Sequence, residues 1–204
     1  GISVPERSVD FGKVMERREK VIKTLTGGVA GLFKKNKIEY IEGVASLAGD
    51  GGVKVGDETY TASKAIILAT GSVPRPVPGT TFGGRVIGTE EAWALSELPK
   101  KIAVLGAGAS GSEIASAYGR LGSEVLLFEM LDRVLPTEDA DISKVAGRTF
   151  AKQNIKVHTG VPVENVTDWP LLSVAGPPTS VDHVSCVPST APTTRQNVEV
   201  SAAR

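Results

Sequence analysis

Phe11, Val14, Val21, Leu25, Val29 and Leu32 recur at the spacing of one helix face, while Arg17, Arg18, Glu19, Lys20 and Lys23 lie mostly off it. The pattern predicts a long helix. Asp10 stands where an N-cap carboxylate accepts the first unpaired N–H groups. Lys34, Lys35 and Lys37 suit the negative end of the helix dipole, and that run reads more simply as a solvated helix end than as a docking patch. Gly27, Gly28 and Gly31 either weaken the last turns or let another backbone pack close. The residues before the helix, Gly1 to Arg7, read as a loop.

From Ile38 the period shortens to that of strands. Ile38–Ile41 and Val44–Leu47 are candidates, Gly49–Gly52 (GDGG) is a turn, and Val53–Val55 with Thr59–Thr61 predict a hairpin across Gly56–Asp57. Ala65–Ala69 (AIILA) is an unbroken apolar run, as in a strand buried on both faces, and it ends at Thr70-Gly71-Ser72. Val73–Gly79 (VPRPVPG) predicts an extended crossover between domains. Thr89–Leu98 reads as a short helix stopped by Pro99. Ile102–Leu105, a helix from about Ala109 to Leu121 closed by Gly122, Val125–Phe128, a helix over Asp139–Gln153, and Ile155–His158 then alternate as β-α-β-α-β. That order predicts a parallel sheet with right-handed crossovers. After about Thr167, Pro, Ser and Thr dominate without either period, and the stretch reads as disordered or loosely attached.

Composition narrows the class. A length of 204 residues suggests one or two domains, and 23 basic against 23 acidic residues point to neither nucleic acid nor an anionic membrane surface. The longest apolar run is far too short to span a bilayer, and no signal peptide is evident. Abundant Gly with few aromatics fits an α/β chain with tight βα turns. The single cysteine, Cys186, forms no internal disulfide. These features predict a cytoplasmic protein without a metal site. The first residue is Gly1 rather than Met, which leaves a processed, tagged or fragmentary chain open.

The chemistry-bearing motif is Gly106-Ala107-Gly108-Ala109-Ser110-Gly111, between a predicted strand and a predicted helix. Gly106 permits the tight turn, Gly108 lets the backbone approach a pyrophosphate, and Gly111 lets helix and strand pack closely. The exposed N–H groups at the helix start receive the phosphates. Glu129 ends the next strand, near the spacing at which a carboxylate meets the adenosine ribose hydroxyls. A 2′-phosphate would meet a like charge there, so NAD is favoured over NADP. The alternative for GxGxxG alone is a purely structural turn.

The stretch VPRPVPGTTFGGRVIGTEEAWALSELPKKIAVLGAGASGSEIASAYGRLGSEVLLFEMLDRVLP, with EKVIKTLTGGVAGLFKKNKIEYIEGVASLAG before it, resembles the pyridine nucleotide–disulfide oxidoreductases, and among them the dihydrolipoamide dehydrogenases. The resemblance covers roughly Gly1 to Val166. It implies FAD and NAD as cofactors, with the phosphate-binding turn on Gly106 to Ser110 and the ribose carboxylate on Glu129. It also places Glu113 near the nicotinamide, Val161 at the adenine on the third strand, Thr70, Gly71 and Ser72 at FAD, and Ala45 at the flavin's adenine. Without it, Glu113 reads as a first-turn helix acid favoured by the dipole, and Thr70-Gly71-Ser72 as a turn after a strand.

On this reading the fold class is α/β, with Rossmann-like FAD- and NAD-binding domains, both incomplete. Residues 1–73 are the later part of an FAD domain, 74–99 a crossover linker with a short helix, 100–166 a partial NAD domain, and 167–204 an unstructured or out-of-frame tail. The resemblance implies NAD-linked reoxidation of protein-bound dihydrolipoamide through FAD and a redox disulfide. It implies a homodimer that associates with 2-oxo acid dehydrogenase complexes through lipoyl domains. The family's redox cysteines (CxxxxC), its FAD-binding GxGxxG and its catalytic His–Glu pair are not found in these 204 residues. His158 and His183 stand outside that motif and Cys186 lacks a partner. The chain is therefore expected to be an internal fragment, inactive alone, with no catalytic residue assigned and FAD binding doubtful. A related disulfide reductase such as a mercuric reductase, or a non-catalytic NAD-binding module, are the alternatives.

Overall fold

The computed structural model describes residues 6, 8–49, 51–74, 76–77, 80–166, 171–174, 179–180, 183–186 and 198–202, and from residue 163 onward the strand backbones alone. Contacts divide the chain into two compact units, one of residues 1–15 and 74–190, the other of residues 16–73 and 191–204. The predicted opening loop, much of the proline-rich stretch and most of residues 167–204 lie outside the described residues.

Helix α1 (Phe11–Lys35) forms as its periodicity predicts. Asp10 opens it: the Lys13 N–H donates to Asp10 Oδ1 at 3.1 Å and the Val14 N–H to the Asp10 carbonyl at 3.2 Å. No residue of α1 is buried, and Leu25 is 66% exposed. The stripe specifies the helix; it does not specify what covers the stripe.

The second unit holds β1 (Glu39–Gly49), β2 (Gly52–Val55), β3 (Glu58–Thr61) and β12 (Val198–Ala202), ordered β12-β1-β2-β3. The two strands expected over residues 38–47 are one. The irregularity in β1 pairing falls between Ile41 and Ala45, around Gly43 at φ +156, where a Cβ would lie 2.6 Å from Val55 Cγ1. The predicted hairpin closes with Val55 opposite Glu58, and Gly56 supplies the positive φ that a two-residue turn requires.

The strand expected at Ala65–Ala69 is corrected: these residues are in no strand, and Ile67 and Leu68 are exposed. An apolar run becomes a strand only when a neighbour takes its backbone groups, and no described segment pairs with this one.

The first unit is built on a five-stranded sheet. Its strands are β4 (Val86–Ile87), β5 (Lys101–Leu105), β6 (Glu124–Phe128), β7 (Ile155–His158) and β11 (His183–Cys186), in the order β4-β11-β5-β6-β7. The pairs β5–β6 and β6–β7 are parallel, as the alternating pattern predicts. Helices α3 (Ala109–Leu121) and α4 (Ala140–Ala151) connect them. Gly122 ends α3 in the left-handed conformation, φ +114, and Asp139 caps α4 by accepting the Asp141 N–H at 2.8 Å.

Ile102, Val104, Val125, Leu127 and Ile155 pack with Ile114, Ala115 and Tyr118 of α3 into the core, while Ala103, Leu105, Leu126 and Phe128 are buried on the other face. Each such aliphatic side chain contributes about 1.5–3 kcal/mol on full burial. Helix α2 (Thr89–Trp93) stops five residues short of the predicted Leu98, with Ala94 already outside helical geometry. The lead-in to β5 is tied to α3 and its exit by Tyr118 Oη donating to the Ala92 carbonyl, and by Ser123 Oγ donating to the Pro99 carbonyl at 2.6 Å. Across β5, β6 and β7, Glu124 Oε1 accepts Lys156 Nζ at 2.7 Å and meets Lys101 Nζ at 3.7 Å.

Strands β8 (Val163–Val166), β9 (Leu171–Val174) and β10 (Thr179–Ser180) form an antiparallel sheet ordered β10-β9-β8. Strands β9, β10, β11 and β12 place regular backbone past residue 166, where the sequence predicts none. Strand pairing uses main-chain groups that every non-proline residue carries, so a stretch without side-chain periodicity gives no warning of it.

Candidate functional site

Strand β5 delivers the chain into the glycine-rich turn. The Gly106 N–H donates to the Phe128 carbonyl at 2.8 Å, continuing the ladder, and Gly106 then turns at φ +99, a conformation that favours glycine. At Gly111 a Cβ would lie 1.9 Å from the Gly106 carbonyl oxygen, so only glycine brings α3 this close to the turn. Gly108 differs from both. Its φ of −70° is open to any residue, and among the described residues a Cβ there would meet nothing within 4 Å. The fold itself gives no reason for a glycine at this position.

Helix α3 begins at Ala109, and its first backbone bond runs from the Ser112 N–H to the Gly108 carbonyl at 3.0 Å. Among the described residues, the N–H groups of Ala109, Ser110 and Gly111 therefore form the unpaired first turn, with no side-chain cap. Ala109 is exposed, Ser110 half-buried and Gly111 buried.

Glu129 is buried, 9% exposed, at the end of β6. Its Oε2 accepts the Ala107 N–H at 2.8 Å and its Oε1 the Leu131 N–H at 3.0 Å. A carboxylate offers about four acceptor sites, so roughly two remain for hydroxyl donors. The Val161 N–H donates to the Glu129 carbonyl at 3.1 Å, which brings Val161 beside the same strand end. Met130 and Leu131, next along the chain, are exposed and uncharged.

Glu113 lies on α3, exposed, along a groove shared with Ser112, Ser116, Arg120, Leu135 and Glu138. His158 stacks on Phe128 with ring centroids 4.9 Å apart. Gly106 to Gly111, Glu129 and Val161 are thus gathered at one end of the parallel sheet, with Glu113 one turn into α3.

The sequence reading missed Leu135 and Ser112. Leu135 donates its N–H to the Ala107 carbonyl at 2.7 Å, and Ser112 Oγ donates to the same oxygen at 3.1 Å. Leu135 acts through its main chain at φ +48, and its side chain gives no sign of this.

The residues expected at FAD are not gathered in this way. Ala45 is buried in β1, in register with Val55 on one side and Val198 on the other, so its backbone has no open sheet edge. Thr70, Gly71 and Ser72 are exposed and in no strand, with Gly71 at φ +70. No hydrogen bond among the described residues joins Ala45 to them. No helix among the described residues is long and apolar enough to cross a membrane.

Comparison with known proteins places this geometry in a family. The family described as pyridine nucleotide-disulphide oxidoreductase matches residues 3–179. A dihydrolipoyl dehydrogenase of Bacillus subtilis (strain 168) is 39% identical over 175 residues, which are 83% of this chain and 37% of that protein. The mitochondrial dihydrolipoyl dehydrogenase of Pisum sativum is 38% identical over 161 residues, 76% of this chain and 32% of that one. A leghemoglobin reductase of Vigna unguiculata is 39% identical over 161 residues, 76% and 31% of the two chains.

Among solved structures, the HOCl-induced flavoprotein disulfide reductase RclA from Escherichia coli superposes with a TM-score of 0.77. At 24% identity, over 92% of this chain and 45% of that one, the likeness speaks for the fold alone. The chain spans about a third of the length of the curated relatives it matches. With residues 3–179 matched and relatives near 39% identity over most of its length, the chain belongs to the pyridine nucleotide-disulphide oxidoreductase family.

Proposed function

We propose that the first unit binds NAD(H) at the turn Gly106–Gly111, as the pyridine-nucleotide part of a dihydrolipoamide dehydrogenase-like flavoprotein. The observation that carries this reading is Gly108, a glycine with ordinary dihedrals and open space where a Cβ would stand. A ligand's diphosphate approaching the backbone supplies the reason for it.

The N–H groups of Ala109, Ser110 and Gly111 bind the diphosphate at the positive end of α3. Glu129 accepts the adenosine ribose hydroxyls, Val161 lies against the adenine, and Glu113 stands toward the nicotinamide. Met130 and Leu131 offer no cation to a 2′-phosphate, and Glu129 repels one, which favours NAD.

At the level of the whole enzyme we propose NAD-linked reoxidation of protein-bound dihydrolipoamide. The relatives' names and the family support this. When bound, NAD supplies the hydride acceptor and FAD the relay from a redox disulfide. Ala45 and Thr70–Ser72 are the residues of this chain that would contact FAD in the whole enzyme. A homodimer working with 2-oxo acid dehydrogenase complexes through lipoyl domains, in the cytoplasm, completes the proposal.

Titration of the 204-residue chain with NADH, read by nicotinamide fluorescence, tests the site. Saturable binding is expected, and Gly108→Ala should weaken it at least roughly tenfold while stability stays within about 0.5 kcal/mol. A Gly108→Ala variant that binds NADH as the parent does would remove the central support.

A further inference from the structure

We propose that Leu135 is a positioning residue for the dinucleotide turn, setting the peptide plane that aims the Gly108 N–H at an incoming diphosphate. The proposal rests on the reading of Gly106–Gly111 as a dinucleotide site. Both peptide groups flanking Ala107 are held. The Ala107 N–H donates to Glu129 Oε2 at 2.8 Å, while the Ala107 carbonyl accepts the Leu135 N–H at 2.7 Å and Ser112 Oγ at 3.1 Å. That carbonyl shares a planar trans peptide with the Gly108 N–H, and the two point in opposite directions. Anchoring the carbonyl on Leu135 therefore turns the Gly108 N–H away from Leu135.

Leu135 makes this contact from φ +48, a conformation leucine rarely adopts. Its carbonyl is held in turn by the Glu138 N–H at 2.9 Å and Ser143 Oγ at 3.0 Å, with Ser143 buried in the first turns of α4. Beside it, the Arg133 guanidinium donates to the Pro136 carbonyl at 3.0 Å. The loop between β6 and α4 is thus fastened at α4 and braces the turn. Strained backbone that persists because its surroundings over-determine it is the kind found at ligand-binding sites.

The test compares Leu135→Asn with Leu135→Val. Both lose the leucine and keep the N–H. Asparagine tolerates positive φ, whereas a β-branched valine resists it. The 204-residue chain and both variants are titrated with ADP-ribose, which carries the diphosphate, and with adenosine, which does not. Leu135→Val should weaken ADP-ribose binding roughly fivefold or more and leave adenosine within about twofold, while Leu135→Asn stays near the parent on both.

Equal ADP-ribose affinity in the two variants would overturn the proposal. So would a proportional loss of both ligands in Leu135→Val, since that reports only a smaller folded fraction. Should Leu135→Val not fold, Ser143→Ala removes a donor to the Leu135 carbonyl, and a roughly threefold loss for ADP-ribose alone is expected; an unchanged affinity contradicts the brace. Amide exchange without ligand separates this claim from the dinucleotide reading. If the parent binds neither ligand, that reading fails, and unchanged protection of the residue-135 amide in Leu135→Val overturns the brace independently.

Discussion

The fold requires glycine at Gly106 and Gly111 and gives no reason for it at Gly108, and the difference is measurable. Gly111→Ala pushes a Cβ to 1.9 Å from the Gly106 carbonyl oxygen, a backbone atom that cannot swing aside. It should cost on the order of 3 kcal/mol in urea unfolding. A loss below about 1 kcal/mol would mean the close approach of α3 is not real. Glu129→Ala leaves the Ala107 and Leu131 N–H groups without their acceptor, at about 1–3 kcal/mol each, and should weaken NADH at least roughly tenfold. Unchanged stability in that variant would deny the carboxylate its structural role. At this scale the site was largely legible. The glycine spacing and the terminal carboxylate each follow from a need the sequence displays. Leu135 was not legible, because its contribution is a main-chain N–H at an unusual φ, and no side-chain chemistry announces it.

Glu124 shows how charge joins neighbouring elements. Its carboxyl is held below the ordinary carboxylate range, chiefly by the hydrogen bond from Lys156, with the positive charge of Lys101 adding to it. A carboxyl whose pKa is lower folded than unfolded stabilises the fold above its unfolded value, and that stabilisation is lost as pH falls through the folded value. Parent and Glu124→Gln should therefore differ in unfolding free energy near pH 7 and converge in acid below the ordinary carboxylate range, with the difference shrinking in high salt because the group is a third exposed. A difference that persists in acid would rule this account out. Capping offers a second check: Asp139→Ala should lower stability by about 1 kcal/mol by removing the acceptor of the Asp141 N–H.

The elements read most securely from sequence are those whose pattern is completed inside the chain. Strands β5, β6 and β7 with α3 and α4 find one another, and their ends fall within a residue or two of expectation. The run at Ala65–Ala69 has the composition of a buried strand without a described partner, and the stripe of α1 is exposed from Val14 to Leu32, with Phe11 alone among the described residues of the stripe packed against the core. In both cases the local signal is sound and the tertiary half of it is unmet.

The chain as a whole covers about a third of its relatives' length, and that sets what the 204 residues do by themselves. A redox disulfide needs two cysteines, and this sequence holds one. The account therefore expects dinucleotide binding without disulfide chemistry. Dihydrolipoamide and NAD incubated with this chain should yield no NADH above the rate without protein, and a protein-dependent rate would contradict that expectation.

The turn between β5 and α3, with Glu129, is proposed as a site for a dinucleotide lacking a 2′-phosphate. Calorimetric titration of the folded chain with NADH and NADPH in parallel tests it most directly. Saturable one-site binding of NADH, displaced by ADP-ribose, is expected, with at least roughly tenfold weaker binding of NADPH. No heat of binding from either nucleotide in a chain that unfolds cooperatively, or tighter binding of NADPH, would contradict it.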